Sequence, residues 1–131
     1  MMQEKAKSIG AADTTVTTAD GRFTAEQYSN AYDLAIICRY CMTNRMFRTI
    51  AATDKYTIPA TNKNGSRDLQ NTNLLINSGN RRYRYETAIG IKSGYTARSK
   101  SCLACSALPP ANKFGEEVLA IILGAENTKQ M

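Results

Sequence analysis

Three strand-like runs close this chain, at residues 91–95, 101–108 and 117–124, and they constrain its fold more than anything upstream. Each has the β-branched or alternating composition of a strand, and each ends at turn-forming residues. The loops between them, of which Pro109 to Gly115 is the longer, are of hairpin length. Three hairpin-linked strands form an antiparallel meander. Ahead of them the periodicity is helical, and helices followed by a meander make an α+β domain. A chain of 131 residues has room for one domain with one modest core.

The helical part begins with residues 3–8, which read as a short uncapped helix ended by Gly10. Residues 11–22 are a turn-rich loop of Thr, Asp and Gly. Thr24-Ala25-Glu26-Gln27 fits a capping box. The spacing of Ala31, Leu34, Ala35, Cys38 and Met42 predicts a helix over residues 29–42. Asn44 is placed to cap a second short helix through Met46, Phe47 and Ile50. Residues 56–58 and 66–70 flank Asn64-Gly65, the preferred pair of a type I′ turn, and predict a hairpin. Pro59 confines that hairpin to an edge or an excursion.

Composition excludes several chemistries. No His is present, which removes Ser-His-Asp and Cys-His nucleophiles and any His-bearing metal site. Four cysteines stand as Cys38-x-x-Cys41 and Cys102-x-x-Cys105, a spacing that suggests zinc. The first pair lies in the apolar helical run. The second lies in a strand, where an odd separation sends the two side chains to opposite faces. Buried thiols acting as small hydrophobes are the reading that results, with no metal and no cofactor implied.

Net charge is +6, from 17 basic and 11 acidic residues. It reads as solvated surface, and it also suits an anionic partner such as a cell-wall polymer. Arg81-Arg82-Tyr83-Arg84-Tyr85 carries no RNA-binding signature, so a loop with snorkelling arginines is expected there and no nucleic-acid partner. No apolar run approaches the ~20 residues needed to cross a bilayer. Residues 1–7 show no signal-peptide core, so the expectation is either a cytoplasmic chain or an export signal further upstream.

The first of the three strands reads Gly90-Ile91-Lys92-Ser93-Gly94-Tyr95-Thr96, with Asn71-Thr72-Asn73-Leu74-Leu75 upstream. Lys5-Ala6-Lys7-Ser8-Ile9-Gly10, Asp13-Thr14, Asp20-Gly21 and Tyr28-Ser29-x-Ala31-Tyr32-Asp33-Leu34-Ala35 come before it. In this order and spacing they resemble the D-alanyl-D-alanine carboxypeptidases, the low-molecular-weight penicillin-binding proteins. That family writes the strand as Gly-Ile-Lys-Thr-Gly-Tyr-Thr. The resemblance runs from about Lys5 to Asn127 and implies an incomplete β-lactamase/transpeptidase-like domain.

The resemblance gives Lys92 the catalytic lysine's place, where its ammonium favours ionised nucleophile and substrate. Ser93 stands where the family has Thr, with a hydroxyl for the substrate's terminal carboxylate. Gly94 lets a peptide lie at backbone distance, and the N–H at Tyr95 would complete an oxyanion hole. Two departures accompany the match. No serine is followed three residues later by Lys, so the Ser-x-x-Lys nucleophile is missing. Ser78-Gly79-Asn80 spells the family's Ser-x-Asn element but in the wrong place.

Residues 1–131 are therefore expected to be a single partial domain, the C-terminal portion of a serine carboxypeptidase, inactive alone. The complete family protein would act outside the cytoplasm on peptidoglycan stem peptides and meet β-lactams there. The alternative is a non-catalytic binding or oligomerising module that uses an unpaired edge along residues 118–123.

Overall fold

A computed structural model describes residues 1–108 and 115–127 of the chain. Its elements run in the order α1 (Met2–Ser8), α2 (Ala31–Met42), α3 (Arg45–Ala52), β1 (Lys55–Ile58), β2 (Arg67–Gln70), β3 (Ala88–Thr96), β4 (Lys100–Ala107) and β5 (Val118–Ala125). The last three form one antiparallel sheet in the order β3-β4-β5. The expected α+β order is observed. Of the predicted loop from Pro109 to Gly115, residues 109–114 lie outside the described residues.

Register assigns the two faces of the sheet, because directly opposed residues share a face. Ile91, Ser93 and Tyr95 oppose Cys105, Leu103 and Ser101, and all six project to one side. On the other side α3 lies against β3, and α2 lies against β4 and β5. Loop residues of segment 71–85, Leu75 and Tyr83 among them, cover the first face beside Leu103 and Cys105. Ile76 in that loop, Leu103 and Cys105 on β4, Cys38 and Met42 on α2 and Ala51 on α3 are buried.

The largest side chains fully enclosed are Asp33 and Ser106, both polar, so the core depends on satisfied hydrogen bonds as well as apolar area. Asp33 accepts from Thr14 Oγ1 at 2.8 Å. Ser106 Oγ donates to Glu117, whose other oxygen meets Arg48 at 2.6 Å, tying β4 to α3. An unpartnered polar atom in these places costs about 1–3 kcal/mol, which explains why partners are supplied.

Two local expectations are corrected. The Thr24–Gln27 segment is a turn and not a capping box, and the helix starts at Ala31. Thr15 and Tyr28 exchange backbone hydrogen bonds at 2.9 and 3.3 Å, which holds Tyr28 extended. The Gln27 side chain accepts from Thr17 N at 3.3 Å and Thr18 N at 3.2 Å, leaving nothing to cap a helix. Asn30 is the cap, accepting from Asp33 N at 2.8 Å. Asn44 caps α3 as expected, accepting from Met46 N and Phe47 N at 2.9 and 3.2 Å.

The β1–β2 hairpin forms as a separate two-stranded sheet, from Lys55↔Gln70 to Ile58↔Arg67. Its predicted type I′ turn does not form, since neither Asn64 nor Gly65 has positive φ. Pro59 has no N–H for the ladder, so pairing ends at Ile58. The longer loop closes through Thr61 N and Asn64 O at 2.8 Å.

Candidate functional site

Strand β3 is an outermost strand, so its far edge is free among the described residues to meet something other than β4. Two glycines in it have opposite reasons for being there. Gly90 lies at φ +102°, and a Cβ at that position would stand 2.4 Å from the Ala51 carbonyl oxygen. Close seating of β3 on the end of α3 demands a residue with no side chain. Gly94 has no positive φ, and a Cβ there would meet nothing within 4 Å. Among the described residues nothing requires Gly94 to be glycine.

Facing this strand is segment 71–77, shaped almost wholly by its own side-chain amides. Asn71 Nδ2 donates to Ala51 O at 3.3 Å and Thr53 O at 3.0 Å. Asn71 Oδ1 accepts from Asn73 N at 2.9 Å, and Asn73 Oδ1 accepts from Leu75 N at 3.0 Å. These are the local turns that Asn favours. Asp54 adds an outer anchor, accepting from Ser78 N at 3.1 Å and Gln70 Nε2 at 2.7 Å. The hydrogen bond with Ser78 chiefly holds the Asp54 carboxyl below its usual pKa, with Lys55 and Arg84 adding to the effect against burial.

Between segment and strand runs a groove of about 390 Å³, bordered by Lys92, Ser93, Gly94 and Tyr95 on the strand side. Alternation puts Ser93 and Tyr95 on the loop-covered face and Lys92 and Gly94 on the other. All four border one groove because β3 is an edge. Leu74, Leu75 and Tyr83 supply an apolar opposite wall. Among the described residues Lys92 is the one formally charged residue in the lining, so the formal charge bordering the groove is positive. Lys92 Nζ donates to Ser93 O, and Ser93 Oγ lies 2.9 Å from Thr72 Oγ1.

Sequence reasoning missed Thr72 and Tyr83 as groove residues. In the sequence Thr72 belongs only to a family landmark, and Tyr83 to an expected surface loop. Its ring is half-buried with the Arg82 guanidinium 5.5 Å over it. Arginine stacking on an interleaved tyrosine was the available signal.

The cysteines lie apart from this chemistry. Cys38 and Cys105 are buried, Cys41 and Cys102 half-buried, and all four are free thiols. Burial pushes the Cys38, Cys41 and Cys105 thiols up from their ordinary value, with Cys41 adding to the rise at Cys38. At Cys105, hydrogen bonding to Asn73 and to the backbone at Gly90 and Ser106 opposes the rise. Among the described residues no three His, Cys, Asp or Glu side chains group to hold a metal ion. No helix among them is long and apolar enough to cross a membrane.

The family model for D-alanyl-D-alanine carboxypeptidases matches residues 1–127. The chain belongs to that family. The D-alanyl-D-alanine carboxypeptidase DacF of Bacillus subtilis is 31% identical over 130 residues, which cover 98% of this chain and 30% of the relative. A D-alanyl-D-alanine carboxypeptidase of Streptomyces is 31% identical over 95% of this chain and 40% of its own length. Among solved structures, a Streptomyces DD-transpeptidase superposes with a TM-score of 0.76 at 30% identity, covering 97% of this chain and 46% of that one. A Mycobacterium tuberculosis D-alanyl-D-alanine carboxypeptidase gives 0.74 at 29% identity, covering 93% and 42%. The chain thus spans less than half the length of these carboxypeptidase relatives. All three helices and the whole three-stranded sheet fall within the match.

Proposed function

We propose that this chain is the substrate-strand portion of a serine D-Ala-D-Ala carboxypeptidase that trims peptidoglycan stem peptides outside the cytoplasm. In the reaction, a serine supplied from outside these residues attacks the carbonyl carbon of the terminal D-Ala-D-Ala bond. The tetrahedral oxyanion collapses to an ester as the D-Ala amine leaves with a proton, and water then hydrolyses the ester. Here the peptide lies along the β3 edge and its C-terminal carboxylate is held by Ser93 Oγ. Lys92 contributes positive charge, which stabilises the anion and the ionised nucleophile. The backbone N–H at Tyr95 points its dipole at the developing oxyanion.

The observation that carries this reading is Gly94. Among the described residues no contact calls for glycine there, and a peptide at backbone distance would. Without a serine three residues ahead of a lysine, the isolated chain forms no acyl-enzyme. Removing the nucleophile of such a constellation costs on the order of 10⁶ in rate. Intact-mass spectrometry after incubation with a β-lactam is expected to show an unchanged mass, and a stoichiometric adduct would contradict this. Titration of labelled chain with acetyl-L-Ala-D-Ala-D-Ala is expected to move the amides of Ser93 to Tyr95. Shifts confined to other residues would remove the peptide from the groove.

A second reading, self-association, is favoured by the other end of the sheet. Strand β5 pairs only with β4 among the described residues, and Val118 and Leu123 are 49% and 42% exposed. An apolar strand with a bare edge adds a further strand readily. Light scattering across concentration separates a dimer joined there from a monomer.

A further inference from the structure

We infer that Thr72 is a positioning residue for the anion seat, orienting the Ser93 hydroxyl so that its proton points at the bound carboxylate. The inference rests on the peptide reading above. It starts from proton bookkeeping. Ser93 Oγ and Thr72 Oγ1 are 2.9 Å apart and share one hydrogen bond, in which either hydroxyl is able to donate. A carboxylate accepts only, so Ser93 must spend its single proton on it. The Thr72–Ser93 bond then survives only with Thr72 as donor. The result is a chain from Thr72 Oγ1–H to Ser93 Oγ–H to the anion, in which each bond polarises the next.

Thr72 is built for this place. Residues on either side of it spend their side chains on backbone groups: Asn71 on Ala51, Thr53 and Asn73, and Asn73 on Leu75. Thr72 itself is exposed, and its hydroxyl reaches across to β3. The carbonyl of Ala51 is the shared reference. It receives Asn71 Nδ2, and the backbone of Gly90 packs against it. Loop and strand are thereby registered to one atom at the end of α3, which fixes the distance between the two hydroxyls. Lys92, donating to Ser93 O, steadies the same residue from its backbone side.

The test is amide-shift titration of the full chain with acetyl-L-Ala-D-Ala-D-Ala and with its C-terminal amide, comparing the acid-over-amide preference. Thr72→Val keeps the shape and removes the donor, and is expected to lower that preference about two- to fivefold. Thr72→Ser is expected to restore it, and in a Ser93→Ala background Thr72→Val should add nothing. Should Thr72→Val retain the wild-type preference, the positioning role is refuted while the peptide reading stands. Should the wild-type chain bind neither peptide, or both equally, the peptide reading goes and takes this inference with it. Dispersed amide spectra of each variant exclude unfolding as the cause.

Discussion

Replacing the two glycines of β3 by alanine, one at a time, separates what the fold needs from what a ligand needs. At Gly90 the new Cβ would sit 2.4 Å from Ala51 O and 3.0 Å from its carbonyl carbon, at φ +102°. The methyl requires roughly 1 Å of retreat between β3 and the end of α3 before the contact becomes ordinary. Such overpacking costs about 1–3 kcal/mol, and the left-handed backbone costs an L residue about 1–3 kcal/mol more. Gly90→Ala should therefore lose about 2–6 kcal/mol, a large share of the 5–15 kcal/mol typical of a domain.

At Gly94 nothing is met within 4 Å and φ is ordinary, so Gly94→Ala should stay within about 0.5 kcal/mol of wild type. Urea unfolding followed by circular dichroism reads both. Its methyl would nevertheless project where the peptide backbone is expected, so Gly94→Ala should abolish peptide-induced shifts while remaining folded. Near-equal stability losses for the two variants would refute the division, as would a Gly90→Ala protein within about 1 kcal/mol of wild type.

Three further outcomes follow from local geometry. Asn44→Ala removes the acceptor for two amides at the start of α3 and should cost about 1 kcal/mol, read as a shift of the urea midpoint. The raised thiol pKa values of Cys38 and Cys105 mean that the folded state keeps protons which the unfolded state releases. Their contribution is complete below the ordinary value of 9.0 and falls as pH rises past it. Thermal melts from pH 8 to pH 10.5 should decline less steeply in Cys38→Ala. Asp54 has the opposite sign: with its pKa lowered, it stabilises above the ordinary value of 3.8 and stops doing so as pH drops below it. In Asp54→Asn the acid limb of the melting profile should be flatter.

Much of the sheet was legible because alternation and short loops are local properties. The predicted runs 91–95, 101–108 and 117–124 fall on Ala88–Thr96, Lys100–Ala107 and Val118–Ala125. The Asn44 cap was legible for the same reason. The failures are places where a distant partner competes with a local pattern. Gln27 has the spacing of a capping box, but the amides of Thr17 and Thr18 take its oxygen. Asn64-Gly65 has turn chemistry, but Pro59 ends the ladder before the strands reach it. Thr72 is 21 residues from Ser93. Its role depends on an amide-built loop and on a carbonyl at Ala51, neither of which a periodicity reports. Gly90 and Gly94 look alike in sequence, and only three-dimensional packing tells them apart.

The two proposed roles fall on the two edges of the sheet, and the edges differ in chemistry. On β3 the edge carries a cation, a hydroxyl and a bare glycine beside a partly apolar groove. On the proposed function, a peptide added there would gain backbone hydrogen bonds and its terminal charge would meet Lys92 and Ser93. An uncharged strand would leave that seat empty, so on this proposal the edge would discriminate by electrostatics as well as by pairing. On β5 the sequence Val118-Leu119-Ala120-Ile121-Ile122-Leu123 offers pairing and apolar area with no charge to choose among partners. Screening by salt then separates the two. Raising ionic strength should weaken peptide binding at β3 and leave association through β5 unchanged or stronger. If salt weakened both alike, the contrast drawn between the edges would be wrong.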